Sequence, residues 1–549
     1  MPSGESACLP RHVQVLVAGG GPVGLAAAVE LRLRGVDCLV VEPRRTVSRT
    51  RPRCKTLNVR TMEHLRRWGL AARLRERAPL PVSWSQDVVF CTSLTGRELS
   101  RFTGVLGLAP EGDRFPETGQ QAPQYVLEEV LREAVQELAP GRVALGSKVV
   151  GVRQDDDLVT VTVEDGAGAR AVVTAEYVIG CDGPRSVVRE EIGSRYTGGE
   201  ALRPNFGMVF QSPGLRKHVA HGPAVQYWVV NAAAPALIGP LDQGDRWWAI
   251  AFGVDRETGE RTARQLIDAV AGHPVEATVL STDPWTARMQ IVDRMRHGRV
   301  FLAGDAAHLN PPFGGHGLNT GIGDAVDLGW KLAAVLGGWG GPEMLDSYES
   351  ERRPVQERVI REATANMRVL STELLADNLD ADDEAGAQAR KAADLRIQQT
   401  KKAEFHSLDL VIGLRIAASP ILPVEREGGE GTEGLALAGD RLPHMFLEDG
   451  RSLYDLLGAG LTLLALGPDV SVTAMEEAAH RRGVPLTVVR LPDQSATRQA
   501  ELLGAHLAVV RPDQMVAWLG DEAPEDALAL VEILSGRARR GEPAATRSS

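Results

Sequence analysis

Three short loops carry the residues best suited to chemistry. Gly19-Gly20-Gly21-Pro22-Val23-Gly24 follows the apolar run 13–17, Cys181-Asp182-Gly183 follows Tyr177-Val178-Ile179, and Gly304-Asp305 follows Val300-Phe301-Leu302. Gly19, Gly21 and Gly24 have the GxGxxG spacing. The first glycine permits a tight turn, the second lets backbone approach a pyrophosphate, and the third lets helix pack on strand. Asp182 and Asp305 can accept hydrogen bonds from sugar or ribityl hydroxyls. Taken singly, either aspartate fits a helix cap or a turn just as well. Their agreement with the glycine loop favours a ligand with two halves joined by a pyrophosphate, too long for one loop to hold, and a ribityl-bearing dinucleotide is FAD.

Each loop follows a β-rich run and so sits at a strand's C-terminal end, where open α/β sheets bind ligands. After the first loop, Leu25, Ala28, Val29 and Leu33 fall near helical spacing, and the N-terminus of that helix favours an anion. A second strand at 38–41 ends at Glu42, where a ribose-binding acid belongs. Farther on, Pro311-Pro312-Phe313-Gly314-Gly315-His316-Gly317-Leu318-Asn319 precedes Ile322, Val326, Trp330, Ala333 and Leu336. That spacing predicts a helix beginning near Asn319 or Thr320. Its positive end would stabilise the charge of a reduced flavin, and Gly314, Gly315 and Gly317 leave the ring room against bare backbone. His308 and His316 have no partners at metal-ligand spacing, so no metal is expected.

Composition narrows the classes. A chain of 549 residues is too long for one core, and 43% apolar with 24% charged residues is ordinary for a globular protein. A net charge of −11 opposes general nucleic-acid binding. The five cysteines form no CxxC pair, which suits a reducing cytoplasm, and neither a secretory signal nor an apolar run of spanning length is present.

Between 193 and 283, short β-rich runs alternate with Gly/Pro turns and predict an antiparallel sheet. Adjacent Trp247 and Trp248 should face opposite sides of it; Trp228, Trp247 and Pro312 are the candidates for an aromatic substrate pocket. A helical stretch and a Gly/Glu-rich linker at 425–434 lead to a tail in strand–helix–strand order with a hairpin near Arg511-Pro512-Asp513-Gln514. The tail lacks cysteine, which excludes thiol–disulfide exchange. It is expected to be structural or to serve oligomer contacts, and to be dispensable for flavin binding. No Ser/His/Asp set, HExxH or P-loop is recognisable, and no catalytic residue is assigned.

These motifs, with the block 298–354 (GRVFLAGDAAHLNPPFGGHGLNTGIGDAVDLGWKLAAVLGGWGGPEMLDSYESERRP), resemble the FAD-dependent aromatic hydroxylases related to para-hydroxybenzoate hydroxylase. Arg51-Pro52-Arg53 and Val59-Arg60-Thr61-Met62-Glu63 resemble the larger bacterial members that oxidise polycyclic natural products. The resemblance implies an α/β fold: a discontinuous Rossmann-like FAD domain (1–81, 119–192, 284–370), a substrate sheet (82–118, 193–283), a helical segment and linker (371–435) and a thioredoxin-like domain (436–549). It implies that Arg53 touches the pyrophosphate, that Gln124, opening a helix at 125–138, contacts the ribityl chain, and that Leu318 and Asn319 offer backbone N–H groups to the flavin. It further implies non-covalent FAD, NADPH or NADH as a transient co-substrate, dioxygen captured as a flavin C4a-hydroperoxide, and an aromatic substrate hydroxylated by a monomer or homodimer. Baeyer–Villiger oxygen insertion, or a flavin protein that only sequesters an intermediate, remain open at this point.

Overall fold

A computed structural model describes residues 9–50, 55–369, 371–423 and 435–538. Arg53 and the linker at 425–434 lie outside the described residues. The first sheet has the order Arg296–His297, Val300–Leu302, Arg170–Gly180, His12–Ala18, Cys38–Glu42, Val143–Leu145. Its central pairs are parallel, and Ala18 stands beside Gly180, which stands beside Leu302. The chain therefore leaves three neighbouring strands side by side at one edge, into the three loops singled out above. Val15, Leu16, Val17, Val178 and Ile179 are fully buried, as a parallel sheet covered on both faces requires.

The second sheet has eight strands in the order His308–Leu309, Thr278–Val292, Tyr196–Gln211, Arg246–Phe252, Ala236–Pro240, Gln226–Val229, Val88–Cys91, Glu98–Phe102. It departs from a purely antiparallel sheet at one pair, Gln226–Val229 with Val88–Cys91, which is parallel. Helix Arg256–Ala271 covers one face through Leu266, Ile267 and Val270, while helix Glu384–Phe405 covers the other through Ala393, Ile397 and Phe405. Of the acidic run before that second helix, Asp383 caps it by accepting from Gly386 N.

The tail forms a four-stranded sheet in the order Leu486–Arg490, Leu461–Ala465, Leu507–Val510, Val516–Gly520. The first pair is parallel and the other two antiparallel, a thioredoxin-like arrangement. Helix Asp493–Leu503 has no counterpart in the sequence reading, because its polar sequence buries little besides Ala496, Gln499 and Leu503. The tail is no separable appendage. Its hairpin inserts Arg511 and Asp513 into a buried ionic cluster with Asp327, Lys331 and Glu351 of the FAD-side helices. Among the described residues no helix is long and apolar enough to cross a membrane.

Candidate functional site

At the first loop the three glycines do three different jobs. Gly19 has φ +102°, and a Cβ there would lie 2.3 Å from Cys181 O. A Cβ on Gly24 would lie 2.0 Å from Gly19 O, so this glycine lets helix Pro22–Leu33 sit on the strand. Gly21 is unlike both: nothing lies within 4 Å of its Cβ position. It is also the N-cap of that helix, with no side chain capping it and Pro22 next in line. An uncapped, positively polarised helix end facing open space is a place for a phosphate.

Glu42 is buried at the end of its strand, and its Oε2 accepts from Gly20 N at 2.7 Å. Its other oxygen accepts from Arg44 Nε at 2.7 Å. Arg44 also pairs with Glu128, and Glu128 accepts from Gln124 Nε2 at 2.7 Å. Helix Gln124–Leu138 begins one residue before the predicted start, and it buries Leu127, Val130, Leu131 and Ala134 but exposes Leu138. Glu42 and Gln124 thus belong to one polar chain running from the glycine loop. The sequence reading missed its two connecting residues, Arg44 and Glu128.

Asp182 sits beside the loop with Oδ2 accepting from Val188 N at 3.2 Å, while its buried Oδ1 has no partner. Desolvation pushes this carboxyl above the ordinary aspartate range. Asp305 is exposed, and its backbone carbonyl accepts from Tyr196 Oη. The loop carrying Asp305 is held from behind by Asp324, a fully buried carboxylate that accepts from Gly304 N (3.1 Å), His308 Nε2 (2.8 Å), Arg352 Nε (2.9 Å) and Gln356 Nε2 (2.8 Å). Burial alone would raise Asp324, but the charges and hydrogen bonds of His308 and Arg352 outweigh it and hold it at about 2. His308 is therefore engaged with a carboxylate.

The glycine-rich segment ends in helix His316–Leu336, which begins three residues ahead of the predicted position because Gly315 (φ +68°) provides a left-handed N-cap. This end too lacks a side-chain cap. Nothing lies within 4 Å of the Cβ position of Gly315, and at Gly317 only Asn310 approaches, at 3.8 Å. Pro312 is exposed beside this space and Leu318 is half-buried. The Asn319 side chain is fully used: Oδ1 accepts from Asn58 N and Thr61 Oγ1, and Nδ2 donates to Thr56 O and Gly315 O. Only its backbone could meet a ligand. Burial lowers His316 to about 4. Val23, at the start of the first helix, lies 2.7 Å from the Cβ position of Gly321, so that helix start packs against the second turn of helix His316–Leu336.

The second sheet turns an aromatic face toward this loop. Trp228 is fully buried, stacked on Phe90 with centroids 5.4 Å apart, and lies 6.3 Å from Phe313. Trp247 and Trp248 do face opposite ways, but the expectation for Trp247 needs correction. It is buried beneath helix Arg256–Ala271, away from Phe313, and Trp248 shares the face with Trp228. Strand alternation alone does not say which parity faces the loop.

Comparison with known proteins gives matches along the chain. Residues 12–363 match the FAD binding domain family, and residues 435–537 match the aromatic-ring hydroxylase C-terminal family. Tetracenomycin B2 monooxygenase-dioxygenase of Streptomyces olivaceus is 33% identical over 564 residues, covering 96% of this chain and 98% of that protein. The solved structure of the rebeccamycin biosynthetic enzyme RebC with reduced flavin superimposes with a TM-score of 0.88 at 34% identity, covering 96% of this chain and 100% of the other. A ternary complex of aklavinone-11 hydroxylase with FAD and aklavinone gives 0.81 at 29% identity, covering 96% and 99%.

Proposed function

This chain belongs to the FAD-dependent aromatic-ring hydroxylases, and from that premise we propose that it hydroxylates a polycyclic aromatic substrate with NAD(P)H and dioxygen. It is a monooxygenase of the aromatic tailoring type, and FAD is its cofactor. The carrying observation is the pair of uncapped helix ends, at Gly21 and at Gly315, each on open space and carried by two helices that pack together through Val23 and Gly321. One ligand with an anionic middle and an electron-accepting ring fits both.

When bound, FAD supplies the transfer of reducing equivalents and the activation of oxygen; the protein supplies orientation and exclusion of water. Gly19, Gly21, Pro22 and Gly24 would cradle the pyrophosphate, with Arg53 beside it. Glu42 would hold the ribose, Gln124, Asp182 and Asp305 the ribityl side, and Pro312, Gly315, Gly317, Leu318 and Asn319 the ring. Half-buried Trp248 would form the aromatic wall, with fully buried Trp228 packed on the same face of the sheet behind Phe313. The first sheet would then be the cofactor domain and the second the substrate domain, with one oxygen atom delivered to the ring and the other leaving as water.

Purified enzyme supplied with NADPH, labelled dioxygen and a panel of phenolic and polycyclic aromatics should release a product carrying one labelled atom on a ring carbon. Insertion beside a ketone, or NADPH oxidation without an oxygenated product for any aromatic, would overturn the reading.

A further inference from the structure

Lys55 is a cation without an anion. It precedes the short strand Thr56–Leu57, whose Thr56 O and following Asn58 N are both bound by Asn319, so Lys55 stands beside the start of helix His316–Leu336. Its side chain crosses to the aromatic sheet: Nζ donates to Val225 O and lies 4.9 Å from the Trp248 ring centroid. No carboxylate among the described residues pairs with it; burial alone accounts for its lowered amine, with no facing charge contributing. An ammonium has three N–H donors, and one carbonyl satisfies one of them.

A second donor waits at the same spot. Trp248 Nε1 is buried and has no partner. A Cβ on Gly239 would lie 2.8 Å from that nitrogen and 2.9 Å from both Lys55 Nζ and Val225 O, so only glycine fits there and the two donors stand together against its backbone. Lys55 and Trp248 both keep some solvent exposure, yet the protein packed around Lys55 lowers its amine to about 7. Two donors with no acid between them suit an oxygen carrying negative charge.

We propose that Lys55 and Trp248 anchor an ionised oxygen of the aromatic substrate, a phenolate or a carboxylate, and so select acidic aromatics at the junction of the flavin loop and the sheet. This rests on the monooxygenase reading above.

The test uses FAD-loaded enzyme and three probes, 2-naphthoate, 2-naphthol and neutral 2-methoxynaphthalene, with binding followed by the flavin absorbance change. At pH 6, naphthoate, naphthol or both should bind at least tenfold more tightly than the methoxy probe, and which does so distinguishes carboxylate from phenolate. For naphthoate that preference should fade as pH rises through 7 toward 9. Lys55→Met should abolish it with FAD content unchanged, Lys55→Arg should carry it to pH 9, and Trp248→Phe should reduce it severalfold. Independently of any variant, acetylation of Lys55 followed by mass spectrometry should half-titrate near pH 7 and be blocked by the tight probe. A preference that survives Lys55→Met, or no response to either acidic probe at millimolar concentration, overturns the proposal. NADPH-dependent bleaching of the same samples separates the two failures: bleaching without preference sinks only the Lys55 assignment, whereas the absence of flavin or of bleaching sinks the monooxygenase reading.

Discussion

Helix His316–Leu336 carries two buried ionic centres one turn apart that solve different problems. Asp324 binds Gly304 N, His308, Arg352 and Gln356, all within one stretch of about fifty residues, and so fixes the loop that carries Asp305. Asp327 and Lys331, one and two turns farther along the same helix face, join a cluster with Glu351, Arg511 and Asp513. Arg511 donates to Glu351 at 2.9 and 2.8 Å and to Asp327 at 3.0 Å. The first centre shapes a site from nearby sequence. The second ties a distant domain to the helix that starts at the site, so the tail is an indirect support of the flavin loop.

The largest expected effect is on the second centre. Ending the chain before residue 435 would remove Arg511 from Glu351 and Arg441 from Glu63, leaving Glu351 with Lys331 and Glu63 with Arg60 as their remaining cations. Losing one partner of a buried ionic cluster costs about 3–5 kcal/mol and two would be lost at once, so the truncated protein should be insoluble or unfolded rather than a yellow soluble fragment. Soluble truncated protein with full FAD would show that the two centres are independent. Arg511→Met alone should lower stability by about 3–5 kcal/mol in denaturant melts.

Asp324→Asn should cost about 2–4 kcal/mol by unpairing Arg352, and it should weaken FAD binding more than Arg511→Met does at matched stability. Equal flavin affinity in the two variants would erase the distinction between the centres. Gly21→Val bears on the same point from the ligand side. Its backbone (φ −74°) accepts any residue and no protein atom is near, so the melting of flavin-free protein should be unchanged while FAD binding is lost.

The smallest effects concern pH, and the two centres should respond with opposite sign. Asp324 is depressed in the fold, so its contribution is complete above about pH 4 and is lost as pH falls toward 2. Asp327 is raised, first by burial and then by Glu351, so the folded chain binds a proton there that the unfolded chain does not. Its effect is a gain in stability as pH falls from neutral toward 4, at most about 1.4 kcal/mol per pH unit. Asp327→Asn should flatten that slope in pH-dependent melts and leave the acid limb intact.

What the sequence made legible was local. The glycines at 19, 21 and 24 and the Gly-Asp loops announce themselves because backbone geometry at those points needs glycine and the strands before them are plainly apolar. Asp324 and Arg352 stood in the matched block but escaped notice, since neither fits a ligand-binding pattern; four partners at one carboxylate become visible only when the helices are packed. The helix start at His316 was read late because a left-handed Gly315 cap resembles one more loop glycine. Trp247 was misassigned because period-two alternation fixes opposite faces without naming them. Strand Val88–Cys91, which pairs with Gln226–Val229, and Arg511 depend on partners more than a hundred residues away, and no window of sequence shows those.

The Arg511–Glu351 contact also sets a timetable. The partners are 160 residues apart, with the arginine made last. At roughly 5–20 residues per second of synthesis, Glu351 waits about 8–30 s on the ribosome before its arginine exists, sharing Lys331 with Asp327 until then. Throughout that interval the flavin-side helices carry a charge they cannot bury, so the nascent amino-terminal half stays open to chaperones and proteases. Adding FAD during translation cannot shorten the delay, because residue 511 must still be made.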